Sequence, residues 1–290
     1  MKTLLTILNA KFIQSSLALR CLTTACAHRG VVVEAAEYTI NQNPYDILRH
    51  IAAFKADVIG FSCYIWNIEM TCHIISLVKD VFPKTKVFVG GPEVSYTARK
   101  VLEDCPQIDY VLQGEGEVMV PDFLTALEKG GDGTEIPGVL GRIDGTIKGD
   151  ETFQEIDDLD SLPFPYENQD FRDLDHRIMY YESSRGCPFH CQYCLSGMND
   201  RVRFRSVPLV LQELQAFVDA GVSQVKFVDR TFNCSPHHHR PLVEYMIGVE
   251  KKVNFHLEIE PAVLTDDDID LLAKAPQGTH PIGNGHSDDV

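Results

Sequence analysis

The sequence predicts an α/β protein in which an N-terminal, doubly wound parallel sheet is followed by an incomplete (β/α) barrel. Two observations predict this fold class. Strand-like and helix-like segments alternate from residue 1 to about 130 and again from about residue 176, and such alternation builds parallel sheets. Only about three βα units follow residue 178, whereas a complete eight-unit barrel takes about 250 residues.

The first domain is expected at residues 1–130. The continuous apolar run VIGFSC at 58–63 is typical of a parallel strand that is buried on both faces. Apolar residues at helical spacing, and Gly30 after the first helix, mark the connections between strands. The expected strands are 2–8, 31–36, 58–63, 86–89 and 110–112, and the expected helices are 15–28, 44–54, 68–81 and 94–103.

A connector is expected at residues 131–175. It contains a short hairpin-like stretch at 139–147, in which Asp144-Gly145 is the turn signal. The segment 162–166 (LPFPY) fixes an extended path, because proline disfavours helix at its own position and at the one before it. We assign this segment no role beyond that of a spacer.

The third region, residues 176–290, is expected to hold the start of the barrel. Thr265 and the acidic residues 266–268 cap its last helix at the positive end. His237, His238 and His239 are interpreted as a solvated loop, because adjacent histidines in a loop point in different directions. The expected strands are 178–183, 225–228 and 254–259, and the expected helices are 208–220, 241–249 and 269–273.

The tail at 278–290 has no strand signal where a fourth barrel strand should start. Reading the coding sequence one base out of frame can give an apolar strand there instead. We therefore expect a truncated or frameshifted product, with 278–290 as an aberrant tail. Open strand edges should then make this half of the chain aggregation-prone.

Composition argues against several classes of function. The formal net charge of −16 argues against a nucleic-acid partner, because phosphate binding relies on basic surface. No apolar run approaches the ~20 residues that cross a membrane. The apolar start MKTLLTILNA leads directly into the first strand without a cleavage site. Nine cysteines without an even framework spacing predict a reducing cytoplasm.

One motif brings three potential metal ligands together. Cys187, Cys191 and Cys194 follow a predicted strand at C-x3-C-x2-C spacing. Three thiolates on one loop can hold an iron–sulfur cluster and leave one iron open to a substrate or cofactor. The alternatives are a zinc knuckle, with His190 as a possible fourth ligand, or disulfides.

This motif, with Tyr193 just before the last cysteine, resembles the signature of the radical S-adenosylmethionine (SAM) enzymes. The resemblance implies that Cys187, Cys191 and Cys194 bind a four-iron four-sulfur cluster. It implies that SAM chelates the open iron and is reductively cleaved to a 5′-deoxyadenosyl radical. In the family, Tyr193 matches a residue near the adenine.

Polar residues at the ends of the later strands extend the expected SAM site. Asp229 and Asn233 match a family motif that faces the cofactor, although they could instead serve a βα turn. Glu258 and Glu260 lie near the end of the third strand, and one of these carboxylates is expected to reach the amino group or ribose of SAM.

A second resemblance rests on five short segments of the first domain, which are NAK at 9–11, SSLA at 15–18, IGFS at 59–62, VGGPE at 89–93 and GEGE at 114–117. Together they resemble the cobalamin-binding domain, a Rossmann- or flavodoxin-like fold, that precedes the barrel in one radical SAM subfamily. Alternatively, the glycines of the first domain simply make tight βα turns. The D-x-H-x-x-G segment that places histidine on cobalt is missing, so we expect no cobalt histidine. His28 and His73 lie in helical pattern. The expected cobalamin contacts are Ser15, Ser62, Gly90, Gly91, Gly114 and Glu115.

The resemblance implies a cytoplasmic, oxygen-sensitive enzyme that abstracts hydrogen from a small-molecule substrate. It implies methyl transfer or ring formation when cobalamin takes part, and an electron donor such as flavodoxin or ferredoxin. Two further hypotheses are a non-catalytic cobalamin- or cluster-binding fragment, which the short barrel favours, and a zinc-binding structural protein.

Overall fold

A computed structural model describes residues 1–167, 170–171, 177–198, 201–250, 253–274 and 282–283. The chain forms two compact units, residues 1–156 and 157–290. Each unit is built on its own parallel sheet, and the predicted α/β class is confirmed. Most of the expected tail at 278–290 lies outside the described residues, as do positions 168–169 and 172–175 of the expected connector and position 176 of the third region.

The first unit is organised on a seven-stranded sheet with the order β2-β1-β3-β4-β5-β6-β7. Strands β1 to β5 are mutually parallel, and β6 and β7 add an antiparallel hairpin at one edge. The strands are β1 (Thr3–Asn9), β2 (Glu34–Thr39), β3 (Val58–Ser62), β4 (Lys86–Gly90), β5 (Tyr110–Leu112), β6 (Val139–Ile143) and β7 (Thr146–Gly149).

Six helices connect these strands in the fully described first unit. They are α1 (Leu17–His28), α2 (Pro44–Phe54), α3 (Ile68–Val81), α4 (Pro92–Ser95), α5 (Ala98–Asp104) and α6 (Gly116–Glu128). One core joins α2, α3 and α5 to one face of the sheet, through residues such as Ile51, Ile74 and Leu102. A second core joins α1 and α6 to the other face, through Leu19 and Phe123. The sheet is therefore buried on both sides, as its apolar strands predict.

The hairpin expected in the connector belongs to this first sheet. Strand β6 pairs antiparallel with β5, with Leu112 opposite Val139. The compact unit therefore extends to residue 156, beyond the boundary expected at 130. The turn signal was located correctly, because Asp144 and Gly145 both adopt positive φ between β6 and β7.

The second unit contains a four-stranded parallel sheet with the order β13-β12-β11-β8. A separate antiparallel pair joins β9 and β10. The strands are β8 (Met179–Tyr181), β9 (Ser184–Arg185), β10 (Arg203–Phe204), β11 (Gln224–Phe227), β12 (Asn254–Glu258) and β13 (Ile282–Gly283), and the helices of eight or more residues are α7 (Val207–Asp219) and α8 (Pro236–Gly248), with the shorter α9 (Asp266–Leu272) after β12.

Strand β13 corrects one expectation about the tail. Ile282 and Gly283 pair parallel with Leu257 and Glu258 of β12. A short strand therefore lies where the sequence signal was judged absent, because a parallel edge needs only backbone groups in register.

The histidine run corrects a second expectation. Residues 237–239 lie in the first turn of α8 and not in a loop, because Ser235 is the N-cap and Pro236 occupies the first helical position. His238 and His239 are buried, at 5% and 4% exposure, and His237 is exposed. Among the residues described, no helix is long and apolar enough to cross a membrane.

Candidate functional site

The cysteine loop of the second unit is closed at its base by the pairing of β9 with β10. Arg203 lies opposite Arg185, and Phe204 lies opposite Ser184. Gly186 opens the loop with φ of 97°, and a Cβ atom there would stand 2.2 Å from the carbonyl oxygen of Arg201. A glycine is therefore required where the two ends of the loop pass each other.

Cys187, Cys191 and Cys194 lie on this loop and are half-buried. The amide of Cys194 donates to the carbonyl oxygen of Cys191 at 3.0 Å, which turns the chain between these two thiols. The Cys187 sulfur lies 3.4 Å from the Thr231 hydroxyl. Among the described residues, no group of three or more His, Cys, Asp and Glu side chains is placed to hold a metal ion. In a four-iron cluster each cysteine binds a different iron, so three thiols on one loop still suit that group.

Tyr193 and the residues that follow it project outward from the same loop. Tyr193 is 80% exposed, and Leu195 and Met198 are also exposed. An exposed aromatic ring beside the thiols can cover a planar ligand group. The expected contact of Tyr193 with adenine stays a prediction.

Asp229 anchors the start of the cysteine loop from the end of β11. Its carboxylate accepts hydrogen bonds from the Ser183 amide at 3.1 Å and from the hydroxyls of Ser183 at 2.7 Å and Ser184 at 2.5 Å. Burial raises the pKa of Asp229 to about 6, although these hydrogen bonds lower it. The side chain therefore holds β8 and β9 beside β11. Its predicted contact with the cofactor is untested.

His238 extends the Asp229 network to α8. Its Nε2 lies 3.0 Å from the Ser183 hydroxyl, which also contacts Asp229. Burial, together with a smaller effect of the neighbouring His239, lowers the pKa of His238 to about 4. A neutral His238 thus supports the loop, a role that the solvated-loop interpretation missed.

A second buried network lies behind the loop. The Arg205 guanidinium donates to Glu213 at 2.7 Å and to the carbonyl oxygen of Leu162 at 2.9 Å. The Tyr181 hydroxyl donates to the other Glu213 oxygen. Burial raises the pKa of Glu213, and the Arg205 charge opposes that shift. Arg205 and Glu213 were not selected from the sequence, because only the fold brings the loop end beside α7.

The proline-aromatic segment is more than a spacer. Tyr166 is buried at 4% exposure. Its hydroxyl donates to the Tyr180 carbonyl oxygen at 2.6 Å and accepts from the Tyr180 amide at 3.1 Å. Its ring packs on Phe217 of α7 with centroids 5.2 Å apart. This single side chain therefore satisfies one edge of β8, directly before the cysteine loop.

The Asn233 side chain binds the backbone of Glu260. Its Nδ2 donates to the Glu260 carbonyl oxygen at 2.9 Å, and its Oδ1 accepts from the Glu260 backbone amide at 2.9 Å. The Glu260 carboxylate accepts from the Ala262 amide at 3.0 Å and caps a short 3-10 turn. Both predicted cofactor residues thus have internal partners, and their roles toward SAM stay predictions.

Glu258 has a different environment. It lies on the half-buried face of β12, and its carboxylate is 3.5 Å from the Lys226 ammonium group. On the same face, Tyr180, Lys226 and His256 stand side by side in the register of β8, β11 and β12. The alternation of polar and apolar residues in QVKF at 224–227 and NFHLE at 254–258 is the sequence signal that could have located this polar face.

The first unit gathers its predicted site residues at the carboxyl ends of parallel strands. Ser62 ends β3, Gly90 ends β4, and Gly114 and Glu115 follow β5. Ser15 is buried in the connection after β1. The carboxyl edge is where open α/β sheets bind ligands. The structure therefore brings this set to one edge.

Two of these glycines have internal reasons to be glycine. At Gly91, with φ of 102°, a Cβ atom would lie 2.6 Å from the Cys63 carbonyl oxygen. At Gly114, with φ of 108°, it would lie 2.2 Å from the Gln154 carbonyl oxygen. At Gly90 the nearest atom is 3.4 Å away, which is an ordinary contact. The tight-turn interpretation accounts for Gly91 and Gly114, whereas Gly90 is free of that constraint.

The connection after β3 presents aromatic surface that sequence reasoning missed. Trp66 is 46% exposed and stacks on Tyr64, with ring centroids 4.4 Å apart. Asn67 fixes this connection, because its side chain donates to the carbonyl oxygens of Leu8 and Ser62, each at 3.1 Å, and accepts from the Tyr64 amide. Exposed aromatic and aliphatic side chains at the same edge include Phe12, Ile13, Ile65 and Tyr96.

We call the exposed side chains of Phe12, Ile13, Ile65, Trp66 and Tyr96 the apolar rim. An exposed apolar patch on a soluble fold commonly marks a binding surface. The Glu115 carboxylate accepts from the Ile156 amide at 2.8 Å, so it orders the neighbouring connection. His28 and His73 are exposed on α1 and α3. His28 ends α1, which places it at the edge opposite the rim.

Two protein-family models match the chain. Residues 4–124 match the B12 binding domain, and residues 181–283 match the Radical SAM superfamily. The first match lies within the first unit, and the second contains all three loop cysteines.

Curated relatives match over a similar span. An uncharacterised methyltransferase of Pyrococcus horikoshii is 29% identical over 64% of this chain and 42% of its own length. The cobalamin-dependent radical SAM methyltransferase TokK of Streptomyces tokunonensis is 29% identical over 63% of this chain and 28% of its own length. The chain thus matches less than half the length of either relative.

A solved structure confirms the fold. The radical SAM methyltransferase TsrM of Kitasatospora setae, determined with cobalamin and a [4Fe-4S] cluster, superposes with a TM-score of 0.76 at 19% identity. The match covers 94% of this chain and 59% of that chain.

Proposed function

Because the chain combines an N-terminal B12-binding domain with a radical SAM domain, we propose that it acts as a cobalamin-dependent radical SAM enzyme on a small-molecule substrate. Methyl transfer is the proposed reaction, as in the named relatives. The observation that carries the proposal is the three-cysteine loop of the second unit, which β9, β10 and Asp229 hold in place. The apolar rim of the first unit supports it as a surface for cobalamin.

Cys187, Cys191 and Cys194 would hold the cluster as thiolates, and their loop is fixed at both ends before any ligand binds. With SAM on the open iron, such a cluster supplies the electron for reductive cleavage of SAM. Tyr193, 80% exposed on the same loop, offers an aromatic ring to the adenine of the cofactor. Glu258, beside Lys226, offers a carboxylate to the amino group of the cofactor.

Cobalamin would lie against the rim of the first unit, where it supplies a transferable methyl group. Trp66 and Tyr64 offer a stacked aromatic surface, and Ser62 and Gly90 end their strands beneath it. We propose that no histidine binds the cobalt, and that the electron donor is a flavodoxin or ferredoxin. The substrate class follows only from the relatives.

Anaerobic reconstitution with iron and sulfide tests the proposal. We expect about four irons per chain, a spin-resonance signal that changes when SAM is added, and 5′-deoxyadenosine after reduction. Cys187→Ala, Cys191→Ala and Cys194→Ala should each abolish the cluster. Cys21→Ala, in α1 of the first unit, is the matched control and should keep it.

Two other outcomes would contradict the proposal. Zinc without iron would establish a structural zinc protein. A cluster whose signal ignores SAM would establish a non-catalytic fragment.

Cobalamin binding has a direct reporter, because Trp66 is the single tryptophan of the chain. Titration with hydroxocobalamin should quench its fluorescence to saturation, since a corrin ring against the rim absorbs at the tryptophan emission. N-acetyltryptophanamide, titrated in parallel, corrects for absorption by the free cofactor. Quenching no greater than in that control would exclude the rim as the cobalamin site.

A further inference from the structure

Two cysteines of the first unit face each other across neighbouring helices. Cys72 lies in the second turn of α3, and Cys105 is the C-cap of α5. Their sulfur atoms are 3.9 Å apart, and both side chains are half-buried. The two helices pack on the same face of the sheet. Neither cysteine belongs to the cysteine loop or to the rim.

A third thiol lies nearby but is shielded. Cys63 follows β3, is fully buried and contacts the Phe61 carbonyl oxygen at 3.8 Å. Burial raises the pKa of Cys63, and the thiols of Cys72 and Cys105 raise it further. Cys63 therefore serves as a control within the same protein, because it lies near the pair but is fully buried, whereas Cys72 and Cys105 are half-buried.

We propose that Cys72 and Cys105 are an oxidative modification site, at which hydrogen peroxide converts the two thiols into an intramolecular disulfide. In the first step one thiol attacks peroxide, which gives a sulfenic acid and water. In the second step the other thiol displaces water from the sulfenic sulfur, and the S–S bond forms. The two sulfurs lose two electrons and two protons in total, and one peroxide becomes two waters.

The geometry favours a disulfide over further oxidation of a single thiol. A disulfide bond is about 2.05 Å long, so the sulfurs must approach by roughly 2 Å. The two sulfurs already lie 3.9 Å apart, so each thiol has the other within reach of a small movement. Burial raises the pKa of Cys72 to about 12, and the neighbouring Cys105 adds to this shift. The dithiol is therefore the resting form, and thiolate attack on peroxide is slow.

The bond would have a defined mechanical effect. It would tie the second turn of α3 to the end of α5 and close a loop from residue 72 to residue 105. Since α3 begins directly after the Tyr64–Asn67 connection, the disulfide would restrain the helix behind the apolar rim. This inference does not depend on the proposed function, because it concerns neither the cluster nor cobalamin.

Peptide mapping of the full chain tests the inference. The protein is reduced with dithiothreitol, desalted, treated anaerobically with hydrogen peroxide, alkylated and digested with trypsin without reduction. We expect a cross-linked pair of peptides 56–79 and 101–129 that vanishes after dithiothreitol. Peptide 56–79 contains both Cys63 and Cys72, so chymotrypsin, which cuts after Tyr64 and Trp66, separates the two candidates. The cross-link should follow Cys72.

Variants provide the controls. Cys72→Ser and Cys105→Ser should each remove the cross-link, and Cys21→Ser should leave its yield unchanged. The wild-type map alone decides the question if a variant fails to fold. Three results would overturn the inference. They are full alkylation of Cys72 and Cys105 after peroxide, a cross-link that contains Cys63, and conversion of Cys72 to sulfinic acid without a cross-link.

Discussion

In both units the parallel strands end at a carboxyl edge, but the two edges carry different kinds of side chain. At the edge of the first unit, glycines and exposed apolar side chains predominate, and Asn67 fixes the connection after β3 through backbone groups. At the edge of the second unit, three thiols lie above a buried carboxylate and a buried histidine. The first edge suits a ligand recognised by shape, and the second suits one bound through sulfur.

This difference determines what supports each site. A surface that binds by shape needs close backbone approach, so its constraints lie in φ angles such as that of Gly91. The thiol loop lies outside the four-stranded parallel sheet and has only the short β9–β10 pair at its base. Side chains must supply the rest of its support, so its constraints lie in Asp229, Arg205 and Glu213. The first unit should therefore be sensitive to added atoms, and the second to lost charges.

The largest effect is expected from Arg205→Met. Both side chains of the Arg205–Glu213 pair are almost fully buried, at 8% and 5% exposure. The substitution leaves the buried Glu213 carboxylate without its counter-charge, and only the Tyr181 hydroxyl still donates to it, so the second unit should lose about 3–5 kcal/mol of stability. Denaturant unfolding followed by circular dichroism measures the loss. Trp66 fluorescence, which reports on the first unit, should keep its midpoint.

Arg205→Met combined with Glu213→Leu is the control for that prediction. Removing both charges should recover part of the loss, because no buried charge remains unpaired. If the fluorescence midpoint moved with the dichroism midpoint, the loss would not be confined to the second unit and the prediction would be wrong.

The regular elements of both units were largely predictable from the sequence, whereas the supports of the loop were not. Helices 44–54 and 68–81 and strand 110–112 have the predicted bounds, because apolar spacing and caps are local signals. The loop cysteines were selected from their spacing after a predicted strand, and their role as cluster ligands stays a prediction. Arg205, Glu213, Tyr166 and His238 were missed as supports, because their partners lie 8 to 55 positions away in the sequence.

The boundary at residue 130 illustrates the same limit. Hairpin β6–β7 carries a local turn signal, but its membership of the first sheet depends on pairing with β5. The histidine run was misplaced because both Pro236 and Pro241 are acceptable near a helix start, and only the packing of α8 decides between them.

A matched glycine pair gives the next largest effect. Gly91→Ala forces a Cβ atom to 2.6 Å from a backbone oxygen at positive φ, which should cost about 3 kcal/mol. Gly90→Ala meets its nearest neighbour at 3.4 Å and should cost less than about 1 kcal/mol. Denaturation followed by Trp66 fluorescence compares them. Equal losses would contradict the assignment of Gly91 to an internal constraint.

The buried acid and base of the second unit should have opposing pH effects. The pKa of Asp229 is raised to about 6 in the folded state, so the folded chain binds the extra proton and this group makes stability fall as pH rises from 4 to 6. The pKa of His238 is lowered to about 4, so this group makes stability rise over the same range.

Between pH 4 and pH 6, Asp229→Asn should therefore make stability rise with pH by about 2 kcal/mol more than in the wild type. His238→Gln should instead make stability fall as pH rises over the same range. Urea unfolding at several pH values, followed by circular dichroism, measures both slopes. The comparison uses the change in the free energy of unfolding with pH, and not its absolute value, because either substitution also removes a hydrogen bond. Unchanged slopes in both variants would show that the two groups titrate alike in the folded and unfolded chain.

The smallest effect separates the two carboxylates that the sequence left equivalent. The Glu260 carboxylate already caps a turn through the Ala262 amide, whereas Glu258 faces Lys226 on the half-buried sheet face. Glu258→Gln should therefore weaken SAM binding to the reconstituted protein by about fivefold, which is about 1 kcal/mol. Glu260→Gln should leave the affinity unchanged and cost a few tenths of a kcal/mol in stability. Anaerobic calorimetry measures both. The reverse order would mean that Glu260 leaves its cap to bind the cofactor, and that the carboxyl edge of the second unit rearranges on binding.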